Sequence, residues 1–447
     1  MAENTHPLAR ARIARGMTAV DLARAIRRAA ERRGLRSGAT KQRVYKWEVE
    51  GVTPDPDSQS YIAEALEIPA EAVDPRSWPN WLPGLGGIVI PLGPASTVPA
   101  LREALRTTME RASRRTFLTA VSGSALITLA STWASADAQA SAGTWALIDS
   151  AAHGAKPAGD DLVTLLEETS ARLTAQATEQ RQHTVPLIDA LLTTVTDIIE
   201  GGRYNQTVKL RLLALAATLS QTVGWHRFDH GLHAEASQYW IAGLHSANSG
   251  GDRDMGAALL GDLAYQASWR RDPKTAAGIL ERALSGTRHP AAQSLLHLRL
   301  ARAMAAQGET RATLRALAAA EHLLAASSGE PVPAWCSWLS EADLAVDSGQ
   351  SLLDLGDTRR AHQLIQEGQD LLPRARDKTR GVFLAYRAKS HLDLGEPDLA
   401  AAAALDSLNL AERIGAPRCV QMVRDLIPRF TAHPTAQCVP ELLERAA

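Results

Sequence analysis

Between residues 228 and 396 the chain punctuates itself at near-regular intervals. Turn signals stand at Phe228-Asp229, Arg271-Asp272, Gly308-Glu309, Gly356-Asp357 and Gly395-Glu396, at spacings of 43, 37, 48 and 39 residues. From about Thr144 onward the stretches between them read as amphipathic helix. A period of that length means stacked helical hairpins. One hairpin cannot bury its apolar face alone, whereas a row of them builds a continuous core. The expected fold is therefore all-α, with residues 141–447 forming an α-solenoid.

One unit is especially clear. Ala361 follows the Gly356-Asp357 turn, with Gly349 twelve residues before it and Pro373 twelve after it. Small residues there let paired helices approach closely, and the proline closes the unit. The arrangement resembles the tetratricopeptide repeat. Ala276 and Ala400 hold the same place after their own turns, with Ala264 and Ala388 twelve residues earlier. The period is looser than the roughly 34 residues of the ideal repeat, which leaves divergent repeats or generic helical hairpins.

At 447 residues, two to three domains are expected. Net charge is only −1, but it is unevenly spread. Residues 8–46 hold ten Arg and two Lys against Asp21 and Glu31, a local charge of +10. A basic end on an acidic remainder suggests an anionic partner for that end, most simply nucleic acid; a solvated basic helix face is the plainer alternative. Cys336, Cys419 and Cys438 are odd in number and far apart, so no disulfide framework or zinc spacing follows, and a reducing cytoplasm fits. The opening MAENTHPLARARIARG lacks an apolar run, and no signal peptide is expected.

Residues 1–74 read as short helices. Thr18 with Asp21 is a capping arrangement ahead of Leu22, Ala23 and Ile26, and Gly34 can end that helix. Thr40 caps a second helix through Glu48. On it Val44 and Trp47 share a core face, while Gln42 and Lys46 fall nearly opposite, flanked by Lys41, Arg43 and Tyr45. Such a face suits a major groove. Gln42 is matched to adenine and Arg43 to guanine, Lys41 and Lys46 equally to phosphate, and amides at the Thr40 cap to a further phosphate. RGMTAVDLA (15–23) and TKQRVYKWEVEGVTPDPDSQSYIAEALEI (40–68), with Trp47, Glu48 and Gly51 in a Trp-Glu-x-x-Gly turn, resemble the lambda-repressor-like, or XRE-type, helix-turn-helix over residues 8–73. The resemblance implies a DNA-binding head and a structural pair between Arg12 and Glu48. It departs from the family between Leu22 and Thr40, where about eleven extra residues lengthen helix 2 and its turn. Their basic run supplies Arg27, Arg28 and Arg36 as further DNA-binding candidates.

Residues 75–112 are a Pro/Gly-rich linker and the start of a connecting helix, with Trp78 and Trp81 as docking points. Residues 113–140 hold Arg114 and Arg115, then Phe117, Leu118 and an apolar run ending in small residues, the plan of a twin-arginine export signal. It follows a DNA-binding head and is rich in Ser, Thr and Ala. The expectation is a buried helix joining head to repeats; a membrane-associated helix is the alternative, and no stable membrane insertion is expected.

No phosphate loop, nucleophile elbow, zinc motif or Cys-x-x-Cys occurs, and neither an enzyme, a cofactor nor a metal is expected. His226 and His230 are four apart, as metal ligands sometimes are, but Phe228-Asp229 and Gly231 are expected to break that helix. Trp225, His226, His230, His233, Tyr239, Tyr265 and Trp269 make either interhelical packing or a ligand groove. The order of head, SWPNWLPG linker, RRTFL helix and divergent repeats looks like a group of actinobacterial regulators. That likeness implies a cytoplasmic, homodimeric regulator of transcription on double-stranded DNA, with a peptide, protein or small ligand in the repeat groove. The rival class is a repeat-based interaction scaffold with a vestigial or non-specific head.

Overall fold

The computed structural model describes residues 6–14, 17–66, 68, 73, 75, 78–79, 82, 90–111, 121–135, 158–175, 178–327 and 331–446. Among them every regular element is helical. The chain divides into two compact units. One comprises Met1–Pro91 with Arg106–Ala125, and the other Leu92–Leu105 with Leu126–Ala447.

The first unit is a small helical head: α1 (Pro7–Ala14), α2 (Ala19–Arg32), α3 (Lys41–Val49) and α4 (Pro56–Ala65). Local signals set each boundary. Thr18 and Asp21 form a reciprocal capping box on α2, Thr40 accepts from the Arg43 amide at α3, and Asp55 accepts from the Ser58 amide at α4. Gly34 closes α2 in the left-handed region, at φ +71°, where a side chain would strain the backbone. Leu22, Ile26, Val44, Trp47, Ile62 and Leu66 meet in one core, and Leu82 and Trp78 pack against it. Gln59, almost fully buried, donates to the carbonyls of Pro54 and Pro75, tying down the chain beyond α4. Trp81, the second expected docking point, lies outside the described residues.

The second unit is a helical array. It runs through α7 (Asp160–Thr174), α8 (Thr178–Gly201), α9 (Gln206–Asp229), α10 (His233–Gly250), α11 (Arg253–Trp269), α12 (Pro273–Leu284), α13 (Pro290–Ala305) and α14 (Thr310–Ala326). It continues with α15 (Glu341–Asp354), α16 (Thr358–Leu371), α17 (Asp377–Leu394), α18 (Pro397–Ile414), α19 (Pro417–Arg424), α20 (Ile427–Phe430) and α21 (Val439–Ala446). Helices pair as hairpins from α9–α10 to α17–α18. The turn within each carries one left-handed residue: Gly231, Arg271, Gly308, Gly356 or Gly395. Ala264 with Ala276, and Ala388 with Ala400, are fully buried in their hairpins. At α15–α16 the approach is closest, since a Cβ added to Gly349 would stand 2.7 Å from the Ala361 carbonyl oxygen. The repeats are thus tetratricopeptide-like in their turns and small-residue contacts. One turn differs from expectation: α9 runs through Phe228-Asp229, and its turn begins at His230.

Leu92–Leu105 and the chain from Leu126 onward, ahead of the array, belong to the same unit. α5 (Thr97–Arg111) starts against α10, with Thr97 Oγ1 2.7 Å from Ser249 Oγ, and Arg102 reaches Asp197 and Glu200 on α8. α6 (Gly123–Ser135) lays Trp133, fully buried, onto α11 and α12. Added Cβ atoms at Gly256 and Gly286 would collide with its indole, and Arg253 stacks 3.8 Å from the ring centroid. The apolar run of 113–140 is therefore helical only from Gly123 to Ser135 within the described residues, and Arg114, Arg115, Phe117 and Leu118 lie outside them. No described helix is long and apolar enough to cross a membrane.

Candidate functional site

Two surfaces carry the candidate residues, one in each unit. In the head, α3 buries Val44, Trp47 and Glu48 and exposes Lys41, Gln42, Arg43, Tyr45 and Lys46. Helical period and the Thr40 cap fix this orientation. Behind the face, Arg12 grips Glu48 in a bidentate pair, Nε to Oε1 at 2.7 Å and Nη2 to Oε2 at 2.9 Å, and its Nη1 donates to the Met17 carbonyl. That pair ties α1 to α3. Arg43 lies 3.7 Å from Asp55 and 5.9 Å from the Trp47 ring centroid. The basic run along α2 and just beyond it divides its labour. Arg27 Nη1 donates to the Ala39 carbonyl at 2.6 Å and holds the approach to the Thr40 cap. Arg32 and Arg33 both pair with Glu64, while Arg28 and Arg36 are exposed.

In the array, the first helices of successive hairpins face inward around a cavity of about 720 Å³. Trp225, His226, His230, Tyr265 and Trp269 line it, joined by Trp335 and Trp338 from the α14–α15 connection. Trp225 meets Phe228, Trp240 and Tyr265 with ring centroids 5.5 Å apart in each case, so one aromatic cluster serves both packing and cavity wall. Two of the expected groove residues are not in the lining. Tyr239 is fully buried and donates its hydroxyl to Asp189 at 3.0 Å. His233 packs on Phe228 at 5.2 Å, beside the α9–α10 turn. Because α9 continues past Phe228, His226 and His230 do share a face, with ring centroids 4.2 Å apart. No cluster able to hold a metal ion occurs among the described residues.

Ion pairs, and between α9 and α11 a hydrogen bond, link each inner helix to the next. Arg299 on α13 bonds Asp262 on α11 at 2.9 Å, and Gln221 on α9 reaches the other oxygen of Asp262 at 2.8 Å. Arg302 contacts Asp347 on α15 at 3.3 Å and the Tyr386 hydroxyl on α17 at 2.9 Å. Arg376 clamps Asp343 at 2.7 and 2.9 Å, and Lys389 meets Asp354 at 2.8 Å. Asp229, at the end of α9, receives Lys378 from α17 and, at 3.5 Å, Arg418 from α19. α8 also touches α18. The last helices of the array thus return to the first. Sequence reasoning missed these cations. The available signal was opposite charge one repeat apart: Asp262 to Arg299 is 37 residues and Asp343 to Arg376 is 33.

Burial tunes the site. It pushes His226 down to about 4, helped by neighbouring His230 and Arg227, so the ring is neutral near pH 7. Burial raises Asp262 and Asp347 despite their arginine partners. For Asp229 burial acts upward too, but Lys378 and Arg418 outweigh it and the net shift is downward. Cys336 is pushed up to about 12 by burial, which makes it an inert thiol. Both ring nitrogens of His226, and Trp335 Nε1, are buried without a hydrogen-bond partner.

Residues 8–70 match the family model described as the SP15 N-terminal domain, a match that coincides with the head. No curated protein matches the chain. Among solved structures the chain is similar to one described as "Crystal structure of APC/C hetero-tetramer Cut9-Hcn1", at 12% identity, covering 91% of this chain and 80% of that one, with a TM-score of 0.30. A score so low marks a loose superposition, and the repeat assignment rests on the hairpins themselves.

Proposed function

We propose that this chain is a repeat-based binding protein whose inner cavity takes a regulatory ligand or partner segment, joined to a head that docks on double-stranded DNA. The observation that carries the reading is the cavity itself. It is concave and aromatic-walled, and it presents polar atoms that no protein group satisfies, the usual make-up of a binding site. Ser268→Trp, placed on the cavity wall, tests it. Peptide and metabolite mixtures are passed over immobilised wild type and variant, and retained species are read by mass spectrometry. Species held by the wild type and lost by the variant support the reading; identical retention refutes it.

The head reading is favoured by one specific observation, the solvent-facing row of Lys41, Gln42, Arg43 and Lys46 on α3. In this reading Lys46 positions the head on phosphate and Gln42 reads a base edge. Paired heads, brought together by homodimerisation, would read an inverted repeat. Selection of genomic fragments by full-length protein near physiological salt tests this. Lys46→Ala should weaken binding on all sequences and reduce the salt slope by about one, and Gln42→Ala should relax sequence choice. Equal losses on every sequence for both variants would refute that division, and salt-sensitive, sequence-indifferent retention by the wild type would leave a scaffold.

A further inference from the structure

The wall of the cavity is electrically self-contained. Each cation on it already faces a carboxylate, Lys378 and Arg418 sharing Asp229, and its polar atoms left without a hydrogen bond include Arg418 Nε, a neutral imidazole and an indole N–H. The cavity is also bounded. Asp229 with Lys378 and Arg418 ties α9 to α17 and α19 on one side of it. The volume of about 720 Å³ is that of a small-molecule site.

Resting on the reading that the cavity binds a ligand, we infer that its occupant is a compact, uncharged molecule carrying an aromatic ring and a hydrogen-bonding group. The ring packs against Trp225, Tyr265 and Trp269. The polar group bonds His226, with Trp335 Nε1 as a second donor. Neutral His226 offers one acceptor and one donor and no charge. An anionic group entering the site would have to be stripped of water and compete with an aspartate for each fixed cation, which is costly.

Two probes that share a skeleton separate these cases. N-phenyl-1-naphthylamine is uncharged, with a single amine N–H; 1-anilinonaphthalene-8-sulfonate adds only a sulfonate. Titration of full-length protein, followed by probe emission and by quenching of tryptophan, should show one saturable site for the amine. The sulfonate should bind at least about tenfold more weakly. His226→Leu should weaken the amine about five- to tenfold, the loss of one hydrogen bond. Ser268→Trp should abolish the site, and circular dichroism shows whether each variant is folded. Sulfonate binding as tight as the amine overturns the charge assignment, and undiminished amine binding to folded His226→Leu overturns the role of His226. If the amine fails to bind, a random nonapeptide pool decides between the two levels. Retention of peptides by wild type but not Ser268→Trp overturns the compact ligand and keeps the binding site; no retention overturns both.

Discussion

Asp229→Asn would open the clasp that joins the ends of the array. The substitution keeps shape and removes one charge. Asp229 is 8% exposed and faces two cations, Lys378 and Arg418. At an effective dielectric constant of ~20, a unit pair at the Arg418 separation of 3.5 Å attracts by about 5 kcal/mol before desolvation is subtracted. What the substitution reads is mainly the cost of leaving the cations unpaired, about 3–5 kcal/mol for a fully buried pair. The Lys378 side chain is 26% exposed and partly rehydrates, which brings the expectation to about 2–3 kcal/mol. For a unit this large that lowers Tm by roughly 3–4 °C. Hydrogen exchange should quicken together in α8–α9 and α17–α19 and stay slow in α11–α13. The net downward shift of Asp229 adds an acid limb. Its contribution is complete above the unfolded carboxylate value near ~4 and disappears as pH falls through the lower folded value, so wild type and variant converge in acid. A variant that melts within about 1 °C of wild type at neutral pH, with unchanged exchange at both ends, would show that the ends are held by apolar packing alone and that the clasp does nothing measurable.

Two further outcomes are expected. Gly349→Ala places a methyl 2.7 Å from the Ala361 carbonyl oxygen and 2.8 Å from Ile365 Cγ1, an overpacking worth about 1–3 kcal/mol. Gly201→Ala, with nothing within 4 Å, should be neutral or slightly stabilising, and equal urea midpoints for the two would sink the close-approach argument. His226 is held near 4 in the fold against an ordinary value of 6.5, so between those pH values the unfolded chain binds more protons and stability falls as pH drops. His226→Leu should make that limb shallower without abolishing it, because burial also lowers His233, His297 and His362. Identical slopes from pH 8 to 4.5 would exclude His226 as a contributor.

Features legible in the sequence were those set by local chemistry. Capping side chains at Thr18 and Thr40 mark helix starts because an orphan amide needs a nearby oxygen. Gly308, Gly356 and Gly395 mark hairpin turns because each adopts positive φ. Arg271 does the same work without being glycine, at the Arg271-Asp272 turn, where Asp272 caps α12. The α9 turn was placed early for the opposite reason: Phe228-Asp229 looks like a break, yet Phe228 is core and Asp229 is held from α17 and α19. Long-range partners of that kind leave no local trace. Tyr239 likewise reads as a groove aromatic until Asp189, fifty residues away, is seen to take its hydroxyl.

The inner face raises the question of why a cavity should be walled with buried ion pairs, which as a class contribute little net stability. Apolar residues of the same volume would pack as well, but they would tolerate many angles between neighbouring hairpins. A bidentate Asp–Arg pair tolerates few, because a guanidinium meets a carboxylate in a planar fork, as Arg376 meets Asp343. Here the links run from α9 to α11 through Gln221 and Asp262, to α13 through Arg299, to α15 through Arg302 and Asp347, and to α17 through Asp343 with Arg376 and Asp354 with Lys389. Lys378 then returns the circuit to Asp229 on α9. Each link sets one hairpin-to-hairpin angle, and the final one can form only if the earlier angles together bring α17 back to α9. Closure is therefore a condition on the whole array. A change at any one link, at Arg302 in the middle for example, bears on whether the last can form.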